Sequence, residues 1–478
     1  MKKHITLIDL NNFSYYPTMA VGLLARYIKA AGFDLETLIP LSQGISSRKR
    51  EKVEGPIDYL ITRLVQSDWW ILRVLVKTLK QSNFIYQSWQ GKRKIYKFIV
   101  SELNRNTDLI LISCYTENYG LCQQICSFLK DLDIPVIIGG PGFNSTENTK
   151  QFLGLQGVKA VVGAEMDEHL GDLLKDYFDG GDITKYPGVS TPTHLGEPTK
   201  YVFKELDQIP VPDYTDFPWD KYPFKVIPYM AGRGCSWGKC NFCLDVKYVN
   251  GRTFRSHSSE KIMSDLTTLS QEVGTNIVNF TDIKLNSHVG VWNEIIDKLP
   301  TVIQDPVWFC SVHVDNRVNN GLDLETLKRA KAAGLTRISF GLETASQRLL
   351  DHMNKGTTVE RLEQFVNDVY KAGISLRATM FVGYLTETHE DLRLTYEFLE
   401  RNKHCFDRVR VSRFQIFEMA PIYQELDTQE RSQILDNRFI AKNRDRAYYN
   451  YKTKILKTCY KINAKGLNED AVKYDGVM

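Results

Sequence analysis

The pattern that most constrains how this chain can fold occurs twice. Short apolar runs alternate with segments of helical period from His4 to about residue 180, and again from Val226 onward. In the first series "HITLIDL", "DLILISCY", "IPVIIGG" and "VKAVVGAE" read as strands, and "GLCQQICSFLKDL" and "MDEHLGDLLKDYF" as helices. Strands separated by helices at this spacing form parallel βαβ units, which predicts an α/β doubly wound sheet over residues 1–185. Its strand ends, at "SCYTEN", "GGPGFN" and "GAEMD", would line the edge at which open α/β folds bind ligands. In the second series "KVIPYMAG", "NIVNFTDI", "VWFCSVHVD", "LTRISFGLE", "ISLRATMFVGY" and "RVRVSRFQIF" are the strands. Six βα units predict a partial barrel over residues 226–415, with its chemistry at the C-terminal ends of the strands.

Three stretches break the alternation. Residues 42–106 carry apolar positions at helical spacing with Arg63, Arg73 and Lys77 among them, beside Trp69 and Trp70. They read as a helical insertion packed on the sheet and covering a ligand, in preference to an interfacial membrane helix. Residues 186–225 are dense in proline and glycine and form an ordered linker. Residues 416–478 make a small helical C-terminal extension. Between Arg438 and Lys465 it holds nine Lys or Arg against one acid, Asp445, interleaved with Tyr448, Tyr449, Tyr451 and Tyr460. Either this is a solvated helical face or it receives an acidic peptide or other anionic partner.

A chain of 478 residues exceeds one core, so two to four domains are expected. A net charge of +4, spread along the chain, argues against a dedicated nucleic-acid binder. No run reaches the roughly 20 apolar residues of a membrane span. The opening "MKKHITLIDL" reads as a strand rather than a secretory signal. Nine cysteines, single or in one tight cluster, do not make a disulfide framework, and a reducing cytoplasm suits them.

That cluster is "GRGCSWGKCNFC", where Cys235, Cys240 and Cys243 stand as C-x4-C-x2-C just after the first barrel strand. Close cysteines in such a compartment usually bind metal. A structural zinc site needs a fourth ligand, for which His257 is the nearby candidate. A plant-type 2Fe–2S centre needs a fourth cysteine, and the next is Cys310. Neither explains the loop's place after a barrel strand. Three cysteines on a 4Fe–4S cluster would leave one iron open to a small molecule.

With that loop the chain resembles the radical SAM family, whose cysteine motif follows the first strand of a partial (β/α)6 TIM-type barrel. The family's usual spacing is C-x3-C-x2-C, one residue shorter. The resemblance implies a 4Fe–4S cluster on Cys235, Cys240 and Cys243, and S-adenosyl-L-methionine (SAM) bound at the strand ends. Phe242 takes the place of the aromatic set against the adenine. "FTDIKLN" takes that of the motif for the SAM amino group, through Thr281 and Asp282. "ISFGLETAS" resembles the fourth-strand segment, with Ser339 and Glu343 facing the ribose or methionine end. "RATMFVGYLTET", with Arg377 and Met380, resembles the fifth-strand segment that holds the adenine.

The first series resembles the Rossmann-like cobalamin-binding domain that precedes the barrel in one radical SAM subgroup. The resemblance implies cobalamin held by Thr18, Ser113, Tyr115, Thr116, Gly139, Gly140, Pro141, Gly163 and Glu165. The Asp-x-His-x-x-Gly loop of mutases is absent, which implies cobalt without a histidine ligand. The activity implied is C-methylation: SAM is cleaved to a deoxyadenosyl radical, hydrogen leaves an unactivated carbon, and methylcobalamin gives the methyl. An external donor of flavodoxin or ferredoxin type would supply electrons. "RGCSWGKCNFC" resembles the subgroup that modifies ribosomally made peptides, which with the basic tail makes a peptide the expected substrate. A small natural product, undergoing methylation, cyclisation or rearrangement, is the alternative. A non-enzymatic iron–sulfur and cobalamin redox sensor is the rival from another class.

Overall fold

The computed structural model describes residues 2–10, 16–40, 54–66, 91–143, 145–197, 202–221, 224–243, 254–416, 420–435 and 445–465. Much of the insertion, including Trp69, Trp70, Arg73 and Lys77, and the tail segment from Arg438 to Arg444 lie outside these residues.

Five strands of the first sheet run parallel: β1 (His4–Asp9), β2 (Asp34–Leu38), β3 (Leu109–Ser113), β4 (Val136–Gly139) and β5 (Val158–Val162). The order is β2-β1-β3-β4-β5, closed by a short antiparallel β6 (Val189–Ser190). The reversal of winding between β1 and β3 is the switch point at which such sheets take ligands. Apolar residues on both strand faces explain the double winding. Ile5, Leu7, Leu109 and Leu111 meet the helices Met19–Ala30 and Leu170–Asp179. Ile8, Ile110, Ile112 and Ile138 meet the helix Tyr119–Asp131 and the helical residues 91–102, through Leu121, Ile125 and Ile99. Each such side chain, fully buried, contributes about 1.5–3 kcal/mol.

The linker is part of the core. Sheet pairing runs into it at β6, and Tyr214 and Phe217 are buried with residues of both domains. The Tyr214 hydroxyl donates to the Pro228 carbonyl at 3.2 Å, tying the linker to the second sheet.

In chain order the second domain has β7 (Ile227–Tyr229), the hairpin β8 (Gly232–Arg233) and β9 (Arg255–Ser256), then β10 (Ile277–Phe280), β11 (Val307–Val312), β12 (Leu335–Glu343), β13 (Ser375–Val382) and β14 (Arg408–Arg413). β7 and β10 to β14 form one parallel sheet in sequential order. This is the expected partial (β/α)6 barrel, and β7 and β14 are left unpaired with each other. On β12 and β13, Ile338, Phe340, Leu342, Leu376, Ala378, Met380 and Val382 join the helix-facing core. The alternate positions Ser339 and Arg377 therefore face the barrel interior.

The C-terminal helix Arg446–Asn463 is more than a solvated basic face. It buries Tyr448, Ile455, Leu456, Cys459 and Ile462. The Tyr448 hydroxyl donates to Glu387 at 2.6 Å, and Tyr460 stacks on Tyr59 with ring centroids 4.9 Å apart. At its end the Asn463 amide completes the open edge of β14: Oδ1 accepts from the Val409 N–H at 2.9 Å and Nδ2 donates to the Val409 carbonyl at 3.0 Å. The insertion helix Pro56–Val65 reaches the same edge, where the Gln66 side chain donates to the Val411 carbonyl at 3.4 Å. Among the described residues no helix is long and apolar enough to cross a membrane.

Candidate active site

The cysteine loop leaves β7 at the C-terminal end of the barrel, and its start is fastened by a buried carboxylate. Asp282, just past β10, accepts the N–H groups of Ala231 at 3.0 Å and Gly232 at 2.7 Å. Burial pushes its pKa up to about 7 against the pull of those hydrogen bonds. Thr281 donates both its N–H and its hydroxyl to the Tyr229 carbonyl, at 2.7 and 3.1 Å. The two residues expected to touch the SAM amino group thus register the loop against the second strand.

Three residues between the cysteines, Trp237, Asn241 and Phe242, have fixed places. The Trp237 indole donates to the Asn354 carbonyl at 2.7 Å and lies over His313, with centroids 6.4 Å apart. Its seat requires glycine at 356: a Cβ there would come 2.3 Å from the indole, and the backbone is left-handed at φ +70°. Asn241 donates its N–H to the Met353 carbonyl at 3.1 Å and its amide to the His352 carbonyl at 2.9 Å. Its side-chain oxygen accepts from the Tyr384 hydroxyl at 3.1 Å. Phe242 packs edge-on to Phe381 at 5.3 Å in an apolar cluster with Tyr384, Leu385 and Phe414. The loop is clamped between the segment after β12 and the end of β13.

The three thiols that this clamp presents influence one another. Burial pushes the Cys240 thiol up to about 11, with smaller upward pushes from Cys243 and Cys235 and a downward pull from the ammoniums of Lys355 and Lys284. Cys235 is buried, and its sulfur accepts the Gly238 N–H at 3.3 Å. No group of three His, Cys, Asp or Glu among the described residues converges to hold a single metal ion. The two rival fourth ligands lie elsewhere. Cys310 is sealed in the helix-facing core of β11. His257 packs against Tyr229 and Asp207, 3.5 Å from the latter's carboxylate, and burial pulls its pKa down to about 4.

Beside the thiols, Glu343 ends β12 with a left-handed backbone, φ +59°, where the register with β13 slips by one residue. That conformation is costly for a residue with a side chain and collects at functional positions. It turns the carboxylate onto Lys355, 3.1 Å away, whose ammonium stands 5.7 Å from the Phe242 ring. Ser339 and Arg377 pair across β12 and β13 on the inner face. At Met380 only the backbone is offered to the inner face. The sequence of β13 puts it at an outward position, where its side chain is buried among helix residues such as Leu362 and Phe365.

In the first domain most of the expected cobalamin residues converge on one sheet edge. Thr18 precedes the helix Met19–Ala30 and donates to Asp9, at the end of β1, at 3.5 Å. Ser113 pairs with Asp9 on one side and Gly139 on the other, and Tyr115 and Thr116 follow in the next turn. Gly140 and Pro141 continue past β4. A Cβ on Gly140 would lie 2.0 Å from the Cys114 carbonyl, so glycine alone lets the β3 and β4 loops touch. Gly163 donates to the Gly188 carbonyl at 2.9 Å, on the β6 side.

Glu165 serves a different purpose from the one expected. Its carboxylate binds Arg255 through two hydrogen bonds, 2.8 and 3.0 Å, and accepts the Phe203 N–H at 2.9 Å. Asp167 takes Arg233 in the same two-pronged way, at 2.7 and 2.9 Å. These pairs bolt the end of β5 to the β8–β9 hairpin, so the acid's charge goes to the joint between domains.

Residues 229–399 match the sequence profile of the radical SAM superfamily. The matched segment begins at Tyr229 in β7 and ends in the helix His389–Asn402, so it takes in the cysteine loop and β10 to β13, and this part of the chain is similar to a radical SAM domain. Among curated relatives, an uncharacterized methyltransferase of Pyrococcus horikoshii is 27% identical over 62% of this chain and 64% of its own length. The anaerobic magnesium-protoporphyrin IX monomethyl ester cyclase of Rubrivivax gelatinosus is 25% identical over 51% of this chain and 47% of its own. This chain thus spans less than two thirds of either relative. Among solved structures, the radical SAM methyltransferase TsrM of Kitasatospora setae, bound to tryptophan and a SAM analogue, superposes with a TM-score of 0.63. That match covers 90% of this chain and 76% of TsrM at 17% identity. The cobalamin-dependent radical SAM enzyme OxsB gives 0.61 over 91% of this chain and 56% of its own, at 18% identity. The chain therefore shares its fold with TsrM and OxsB across both domains.

Sequence reasoning missed Lys284, Lys355, Trp237 and Asn241. Lys284 had a weak signal, a lysine in the short loop after an apolar barrel strand, whereas Lys355 lies beyond the helix that follows β12 and had none. The other two stood in the quoted loop, but what they fasten to is more than a hundred residues distant.

Proposed function

We propose that this protein is a cobalamin-dependent radical SAM enzyme that methylates an unactivated carbon. The observation that carries the reading is the loop of three thiols at the C-terminal end of the first barrel strand, with Cys310 and His257 both turned away from it. Cys235, Cys240 and Cys243 fit a 4Fe–4S cluster: they are soft donors on one clamped loop, and none of them is in a disulfide. When bound, the cluster would supply the one-electron reduction of SAM, and cobalamin the methyl group.

The chain's own residues position and enclose. Phe242 and its apolar neighbours offer a dry wall for the adenine. Glu343, held by Lys355, presents a carboxylate to the ribose or methionine end, with Ser339 and Arg377 below it inside the barrel. Thr281 and Asp282 act through the loop they hold. The bare backbone at Gly139 and Gly140, with Pro141, Thr18, Ser113, Tyr115 and Thr116 around it, offers a flat edge to a corrin.

For the substrate we favour a ribosomally made peptide. Its support is the row Arg446, Lys454, Lys457 and Lys461, which the C-terminal helix leaves exposed after packing its other face. An amino-acid-sized molecule, as named for TsrM with tryptophan, is the second reading, and the fold likeness favours it.

The test is anaerobic. Reconstituted protein given dithionite and SAM should release deoxyadenosine, and Cys240→Ala should abolish both release and iron retention. Iron-loaded protein that releases none would favour a redox sensor, and zinc in place of iron would remove the reading altogether.

A further inference from the structure

Charge at the cysteine loop is unevenly provided. Two ammoniums act on the thiols, those of Lys355 and Lys284. Lys355 is paired with Glu343 at 3.1 Å, so the pair adds little net charge. Lys284 has no such partner. Its ammonium is buried and finds no acceptor in hydrogen-bonding geometry among the described residues. Burial lowers its pKa, and among its neighbours the thiols of Cys235 and Cys240 pull it back up while the ammonium of Lys355 pushes it further down.

The backbone that carries Lys284 is locked. Two residues before it, Asp282 holds the start of the cysteine loop. Its own carbonyl accepts the Ser287 N–H at 3.2 Å. Two residues after it, the Asn286 amide donates to the carbonyls of His313 at 2.9 Å and Asn320 at 3.1 Å. A buried ammonium beside thiols is costly unless it meets negative charge. Three thiolates and the sulfides of a cluster would be that charge.

We propose that Lys284 is a positioning and tuning residue for the cluster: it donates to the sulfurs around Cys235 and Cys240 and raises the cluster's reduction potential. A cation near the sulfurs favours the state with one more electron, which a dithionite-class or flavodoxin-type donor supplies. The inference rests on the proposed cluster. It goes beyond it in assigning a lysine in the loop after β10 to the energetics of electron entry.

The experiment is an EPR-monitored redox titration of anaerobically loaded protein without SAM, and no turnover is needed. Lys284→Gln should move the midpoint to more negative potential, and Lys284→Arg should restore it. Lys239→Met, which removes an exposed ammonium 5.0 Å from the Trp237 ring, should move it much less. Iron and sulfide content, measured first, shows whether each variant holds its cluster. If Lys284→Met sheds iron, the Gln and Arg variants carry the comparison. Midpoints of both that coincide with the wild type overturn the proposal, as does a shift seen only with SAM, which would give the ammonium to the SAM carboxylate. Wild-type protein that binds no four-iron cluster overturns the functional reading itself, and this proposal with it.

Discussion

The ammonium of Lys355 lies 3.1 Å from Oε1 of Glu343, and the carboxylate reaches it across the bare Cα of Gly341. A Cβ at 341 would stand 2.1 Å from that oxygen and 2.9 Å from the ammonium. Gly341→Ala should therefore push the carboxylate off the lysine and destabilise the barrel through the parting of that buried pair, the methyl itself meeting only flexible side-chain ends. Chemical denaturation would measure the loss. Equilibrium binding of SAM to the loaded protein should weaken in parallel, because the strand end, and not the fold alone, is displaced.

Asp282 gives a sharper case. Its two oxygens serve two different amides, and an asparagine can offer one oxygen only. Asp282→Asn should leave the N–H of Ala231 or Gly232 unpaired in a buried place, at a cost of about 1–3 kcal/mol. The urea midpoint should fall. Iron retention should fall as well, since the loop that loses its fastening is the one with the thiols.

The joint between the domains can be tested apart from any cofactor. Removing one partner of a buried ion pair costs about 3–5 kcal/mol, because the other charge is stranded. Glu165→Gln should destabilise by an amount in that range, and Glu165→Gln with Arg255→Met by less than the two single changes together. A double-mutant cycle read by thermal unfolding would show the coupling. Cobalamin affinity that falls only as far as stability does would mark Glu165 as a structural residue. A selective fall would return it to the corrin.

His257 links stability to pH. Burial lowers its pKa from 6.5 to about 4 in the folded chain. Between those values the unfolded chain binds the extra proton, so the contribution is complete above 6.5 and is lost as pH falls through the folded value. The full loss is roughly 3 kcal/mol. Unfolding midpoints taken from neutral pH downward should drop along this course, and His257→Gln should flatten that part of the profile.

Much of this architecture was legible because periodicity reports it. The quoted run "LTRISFGLE" is β12 from end to end, and apolar runs marked the other barrel strands. The cysteine loop announced itself by spacing. What periodicity does not carry is partnership across distance. Glu165 looked like a ligand contact after a strand because Arg255 is ninety residues away in sequence. Met380 was placed by its segment, whereas the two-residue alternation of β13 decides which way it points. The β8–β9 hairpin has two residues in each strand, too few to leave a pattern. Lys284 sat inside a segment already read for its neighbours, and its meaning depends on a buried environment that only packing creates.

The edge of β14 has a consequence for how the chain is made. The Val409 N–H and carbonyl are satisfied by an asparagine that leaves the ribosome 54 residues later. Until then the newest strand of the wall exposes unmet backbone groups, ready to pair with any passing strand. A ribosome that stalled between the two would hold out an adhesive nascent chain, and the helix Arg446–Asn463 is what covers that edge.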